Sequence, residues 1–105
     1  MKIIPIPNYL LNFSYESQLK LANFFAYSMS ISSSYYLKTK DNFYEQFSSI
    51  SYNPYMHPAY YSTSKKYKNC RKCFFFKYIV LYKVYENCVD ILNIFHYRSN
   101  YSKVV

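Results

Sequence analysis

The residues best equipped for chemistry lie together near the C-terminus, in the run His96-Tyr97-Arg98-Ser99-Asn100-Tyr101-Ser102-Lys103. It gathers a histidine that titrates near neutral pH, an arginine that stays charged and grips phosphate oxygens, and two phenols, just beyond a stretch that reads as a strand. The same composition also suits a plain polar strand end, so the run is a candidate site and not yet an assigned one.

A second feature is charge. The chain has 105 residues with 13 Lys and Arg against 5 Asp and Glu, a formal net charge of +8. The excess is local: Lys65, Lys66, Lys68, Arg71, Lys72, Lys77 and Lys83 fall between Gln46 and Tyr85 with no acidic residue among them. Such a patch attracts polyanions through counterion release, or steers an acidic protein. The alternative is a solvated basic surface with no partner.

Other chemistries are poorly supplied. The chain contains no Gly, which removes the glycine-rich phosphate loops of nucleotide-binding folds. Its acidic residues, Glu16, Asp41, Glu45, Glu86 and Asp90, are too scattered to suggest a catalytic carboxylate pair. Cys70-x-x-Cys73, with Cys88, His57 and His96 elsewhere, lacks a second ligand pair at zinc spacing. On a strand, an offset of three also points the two thiols to opposite faces, so no metal and no cofactor is expected. Three cysteines without an export signal argue against a disulfide framework.

The elements that must position these groups follow from periodicity. Hydrophobic residues make up 51% of the chain and aromatics 24%, enough apolar surface for one domain, residues 1 to 105, with an aromatic core. Tyr9 to Phe13 reads as a strand. Ser14 stands at an N-cap position, and Tyr15, Leu19, Ala22, Ala26 and Met29 then recur at helical spacing, predicting a helix over 15–30 with that stripe facing the core. Leu21, Phe24 and Phe25 widen the face. The serines from Ser30 to Ser34 predict a turn, and a second helix begins near Ser34 with Tyr36, Phe43, Phe47 and Ile50 on one side. Asn53-Pro54 ends it.

Tyr60 to Asn69 reads as a loop or weak edge strand with exposed lysines. Beyond it Tyr78, Val80, Tyr82 and Val84 alternate with Lys77, Ile79, Leu81 and Lys83. After a polar break at Glu86-Asn87, Val89, Ile91, Asn93 and Phe95 alternate with Cys88, Asp90, Leu92 and Ile94. The expected fold is α+β: an N-terminal strand, then an αα-hairpin packed on one face of a small antiparallel sheet that ends in a C-terminal β-hairpin. Apolar runs are broken long before the ~20 residues that span a bilayer, and no secretion signal is visible, so a cytoplasmic protein with no membrane partner is expected.

The stretch YIVLYKVYENCVDILNIFHYRSNY, Tyr78 to Tyr101, resembles the C-terminal hairpin of RelE/ParE-family toxins of bacterial type II toxin–antitoxin systems. Their pattern is an aromatic strand, a short acidic turn, a strand of the form V-x-I-L-x-I-x-H and a basic segment. The family order of strand, helical hairpin and proline-containing segment is similar to what precedes it, including Asn53-Pro54-Tyr55-Met56-His57-Pro58 and the basic Lys68, Arg71 and Lys72. The resemblance implies a growth-arresting toxin neutralised by a cognate antitoxin, with no small-molecule substrate. RelE-like members cut messenger RNA on the ribosome. That version implies Lys68, Arg71, Lys72 and Arg98 as phosphate-binding residues, and His96, Tyr97, Arg98 and Tyr101 as the catalytic set. ParE-like members inhibit DNA gyrase without a nuclease site, and would use Arg98, His96 and the exposed tail as contacts. RelE-like nucleases tend to carry Arg after the Tyr that opens the first hairpin strand, where this chain has Ile79; the ParE-like version is therefore favoured. Outside the family, a non-catalytic basic nucleic-acid-binding module and a relic that has lost its target residues are the competing expectations.

Overall fold

Ser14 decides where the chain passes from strand to helix. In the computed structural model, which describes residues 8–62 and 64–98, its hydroxyl accepts the Ser17 amide at 3.0 Å and donates to the Leu92 carbonyl at 2.7 Å. One side chain thus caps the first helix and fastens its start to the last strand. The elements are β1 (Leu10–Phe13), α1 (Tyr15–Ile31), α2 (Ser33–Tyr52), β2 (Ala59–Tyr60), β3 (Cys70–Phe75), β4 (Tyr78–Val84) and β5 (Cys88–His96), with 3-10 turns at Pro54–Met56 and Lys65–Tyr67. The α+β class and the helical hairpin expected from the sequence are both present. Tyr101, and with it Ser99 to Lys103 of the C-terminal run, lies outside the described residues.

The helices are joined through Ser32 alone, which ends α1 with its amide on the Ser28 carbonyl and caps α2 by accepting the Tyr35 amide. So short a link makes the helices antiparallel neighbours. Their crossing is lined by small side chains: Ser28 and Thr39 are fully buried and hydrogen-bonded to each other at 3.1 Å.

The five strands lie in the order β1-β5-β4-β3-β2. Strands β2 to β5 pair antiparallel, but β1 runs parallel to β5, with Leu10 beside Cys88 and Phe13 beside Ile91. The sheet is therefore mixed and not antiparallel. A tight turn dictates direction only between consecutive strands; β1 reaches β5 through the whole intervening chain, so no turn sets its sense.

The main core lies between the helices and one sheet face, where Phe43, Ile50, Cys73, Phe75, Tyr78, Val80, Tyr82, Val89, Ile91 and Ile94 are buried together. A smaller cluster of Tyr67, Cys70, Ile79, Leu81 and Phe95 fills the other face, under the Lys65–Tyr67 turn. The alternation expected along β4 is borne out, and Cys70 and Cys73 do fall on opposite faces.

Three local expectations are corrected. First, the predicted inward stripe of α1 faces outward: Tyr15 is 75% exposed, Leu19 47% and Met29 61%. The buried side carries Ser17, Lys20, Leu21, Phe24, Phe25 and Ser28, because the Phe24 and Phe25 rings pack on Phe43 and bury more area than the stripe offers. Second, the alternation of β5 is interrupted. Leu81 pairs with Asn93 and Tyr82 with Ile91, so Leu92 is an extra residue in a β-bulge. Beyond it the phase flips: Ile94 shares the helix face with Val89 and Ile91, while Phe95 packs on the opposite face. Third, Lys77 is not part of the alternating strand: it lies in the turn at Phe76-Lys77 that folds β3 back into β4, where Phe76 has a left-handed φ of 50°. No glycine was present to announce that turn.

The orientation of α1 has a direct test. Chemical denaturation of Leu19→Glu should leave stability within about 0.5 kcal/mol of the parent, as for an exposed position, while Phe24→Ala should cost about 3 kcal/mol. The reverse ranking would mean that the helix is rotated.

Candidate functional site

Strands β4 and β5 end side by side, Tyr78 opposite His96. Because the bulge has shifted the phase of β5, His96 projects on the helix face, edge-on to the Tyr78 ring at a centroid distance of 5.8 Å. The tips of the two helices stand over these strand ends. Between them lies a cleft of about 440 Å³, lined by Phe24, Tyr27, Ile31 and Tyr35 from the helices and by Lys77, Tyr78, His96, Tyr97 and Arg98 from the sheet.

Lys77, His96 and Arg98 are each held by a neighbour. Lys77 Nζ donates to Tyr35 Oη at 2.7 Å and lies over the Tyr35 and Phe76 rings, at 5.1 and 5.2 Å from their centroids. That hydrogen bond raises its pKa, so the ammonium is charged at all physiological pH. Arg98 Nε donates to Tyr97 Oη at 3.0 Å, which leaves the two terminal amino groups of the guanidinium outside that bond. The Tyr97 ring stacks on His96 at 5.0 Å. His96 Nδ1 accepts the Arg98 amide at 3.1 Å, so the neutral ring carries its proton on Nε2. Burial first, then the positive charges of Arg98 and Lys77, lower the pKa of His96. None of the described lining residues is acidic. The cleft therefore offers two permanent cations, a neutral imidazole and phenols against an uncharged helical wall: an anion site with aromatic surroundings.

The structure divides the residues singled out in the sequence. His96, Tyr97 and Arg98 come together here. Lys68, Arg71 and Lys72 lie elsewhere: Arg71 pairs with Tyr82, four residues along β4 from Tyr78, or about 13 Å at a strand rise of about 3.3 Å per residue. Arg71 is moreover engaged in the fold. Its guanidinium donates to the His57 carbonyl at 2.6 Å and covers the Tyr55 ring at 5.0 Å, fixing the Pro54–Met56 turn to β3. Lys72 lies over Tyr60 at 5.4 Å, and Lys68 and Arg71 line a second depression at the β2–β3 edge. Lys77, Tyr35 and Tyr27 were missed as site residues. Lys77 stood out only as one of seven patch lysines and arginines, and nothing short of the Phe76 turn reveals that it joins His96.

The second sheet face carries a different polar cluster. Asn93, 3% exposed, donates to Glu16 Oε2 at 3.1 Å and Tyr67 Oη at 2.9 Å, and accepts from Lys20 Nζ at 3.3 Å and the Ile94 amide at 2.9 Å. Glu16 is also paired with Lys66. Every polar atom of the amide is satisfied, so the cluster is a clamp for the Lys65–Tyr67 turn. Among the described residues no group of three or more His, Cys, Asp or Glu is gathered, and burial raises both the Cys70 thiol and the Cys73 thiol, the latter to about 11. No helix among the described residues is long and apolar enough to cross a membrane.

No protein-family model and no curated protein sequence matches the chain.

The two histidines give a pH prediction. Burial lowers the pKa of His57, whose buried Nε2 has no hydrogen-bond partner among the described residues, and His96 is lowered as described. Folded-state pKa values below the unfolded value of about 6.5 mean that the unfolded chain takes protons first. The stabilisation from neutral rings is full above that value and is lost as pH falls toward the folded pKa values. Urea midpoints should drop between about pH 7.5 and 5.5, and the drop should shrink in His57→Phe and further in the His57→Phe, His96→Asn double variant. A double variant with the parent's slope would refute the assignment.

Proposed function

We propose that the chain is a growth-arresting toxin of the RelE/ParE type, and that it acts by binding its target and not by cutting RNA. The observation that carries the reading is the C-terminal hairpin: β5 ends by presenting His96, Tyr97 and Arg98 beside Lys77, in a cation-bearing cleft with no carboxylate among its described lining residues. Before that hairpin come a strand, an αα-hairpin and a proline-containing turn, the order that the resemblance implies.

The choice of the inhibitor over the nuclease rests on Ile79. Where RelE-like nucleases tend to carry an arginine, this side chain is 1% exposed and packed with Tyr67, Leu81 and Phe95. A cation could not occupy that place without displacing the small core. The separation of Lys68, Arg71 and Lys72 from His96 weighs the same way, since a nuclease needs its phosphate ligands and proton-transfer groups at one scissile bond. DNA gyrase is then the favoured target and the ribosome with its mRNA the alternative. The cognate antitoxin is expected to bring an acidic segment to the basic surface.

Inducing the chain alone in a bacterial host should halt growth, and co-expression of the adjacent gene should relieve the arrest. Arg98→Ala and Lys77→Ala should each blunt the arrest at equal protein levels. With purified components, supercoiling by gyrase should be inhibited while ribosome-bound mRNA stays intact. Cut mRNA with unaffected gyrase would reverse the choice of target, and normal growth at verified soluble expression would refute the toxin reading.

A further inference from the structure

The cleft at the ends of β4 and β5 has a composition that goes beyond a contact surface for a protein target. Its two walls differ in kind. The helical wall, with Tyr27 and Ile31 largely exposed, is apolar and uncharged, while the strand-end wall holds Lys77 and Arg98. Clefts that hold small ligands enclose roughly 300–1,000 Å³ and combine apolar lining with a few convergent polar groups, and 440 Å³ falls within that range.

We propose that this cleft binds a single nucleotide unit ending in a phosphate monoester. Lys77 and Arg98 meet the phosphate, and the base lies on the Tyr27 side of the helical wall. Charge selects the monoester. Its second ionisation falls at about pH 6, so at neutral pH it carries close to two negative charges, matching the two permanent cations, whereas an internal phosphodiester carries one. Each cation is already oriented by a phenol, Lys77 by Tyr35 and Arg98 by Tyr97, so little side-chain freedom is lost on binding. An ammonium bonded once to Tyr35 keeps two further N–H donors for phosphate oxygens, and the terminal guanidinium edge of Arg98 supplies a fork. Among the described lining residues no carboxylate competes for either cation or repels the ligand. The ligand is bound and not turned over, so the absence of an expected small-molecule substrate is untouched. The proposal uses residues of the proposed toxin site but does not rest on the toxin reading, because it is measured with no target present.

The test is calorimetric titration of the full chain at pH 7.5 with uridine and adenosine 5′-monophosphates, uridine, the dinucleoside monophosphate UpU without terminal phosphate, inorganic phosphate, and a 5′-phosphorylated RNA decamer. The monophosphates should bind at least tenfold more tightly than uridine, UpU or inorganic phosphate. Lys77→Ala and Arg98→Ala should each weaken them at least tenfold while the chain keeps a cooperative thermal transition well above the titration temperature, and Lys68→Ala, at the far edge, should not. Tyr27→Ala should weaken the monophosphates and leave inorganic phosphate alone. A decamer that binds as tightly as the monophosphates makes a strand end the source of the phosphate, and one at least tenfold weaker makes it a free nucleotide; the monoester site stands in both cases. Equal affinity for UpU, equal affinity for bare phosphate, or no binding of the monophosphates would overturn the proposal, whatever the growth assay shows.

Discussion

One extra residue in β5 governs what this molecule can present. Without the bulge, with Leu92 paired regularly in the ladder, strict alternation would put Asn93 among the rings of the main core and would turn His96 away from the helices. With it, Asn93 points to the opposite face, where its amide finds four partners, and His96 comes to stand against Tyr78. A bulge breaks a ladder locally and needs something to hold it. Here the Ser14 hydroxyl takes the Leu92 carbonyl, so the group that starts α1 also stabilises the irregularity that aims the site.

The turn at Phe76 is the second constraint. In a chain with no glycine, the left-handed conformations among the described residues fall to Asn69, with φ 62°, and to Phe76, with φ 50°. Asparagine tolerates this region, but a phenylalanine there costs about 1–2 kcal/mol. Some of that is offset by cations on its ring, Lys38 at 5.4 Å and Lys77 at 5.2 Å. The strained residue directly precedes Lys77, and the tightness of the turn is what lets the ammonium reach Tyr35 across the cleft. Backbone strain of this kind gathers where a side chain must be held in one place.

What the sequence made legible follows from which signals are local. Ser14 as a cap, the turn within Ser30 to Ser34, Asn53-Pro54 as the end of α2, the inward side of α2 and the alternation of β4 are each written within a few residues, and each holds. The outward stripe of α1 was misread because two apolar faces compete on one helix, and periodicity alone does not tell which is covered; the Phe24 and Phe25 rings decide it through Phe43, a residue of another element. The bulge at Leu92 and the parallel pairing of β1 depend on partners 78 residues away and leave no local mark. The same holds for the site. His96, Tyr97 and Arg98 were legible as a sequential cluster, whereas Lys77 and Tyr35 join them only through folding.

The two faces of the sheet also explain why the cleft sits where it does. On the far face Tyr67 fills the space above Ile79 and Leu81, and its hydroxyl is fixed by Asn93, itself bonded to Glu16 and Lys20 of α1. That face is closed by a local plug with a satisfied polar clamp, and a charged ligand there would have to displace both. On the near face the helices cover the middle of the sheet but leave the strand ends under the tips of α1 and α2, where Tyr35 and Tyr27 stand. Polar side chains can project at that end without entering the core. The strand ends that the helices leave uncovered are thus the place to which the bulge turns His96 and to which the Phe76 turn delivers Lys77.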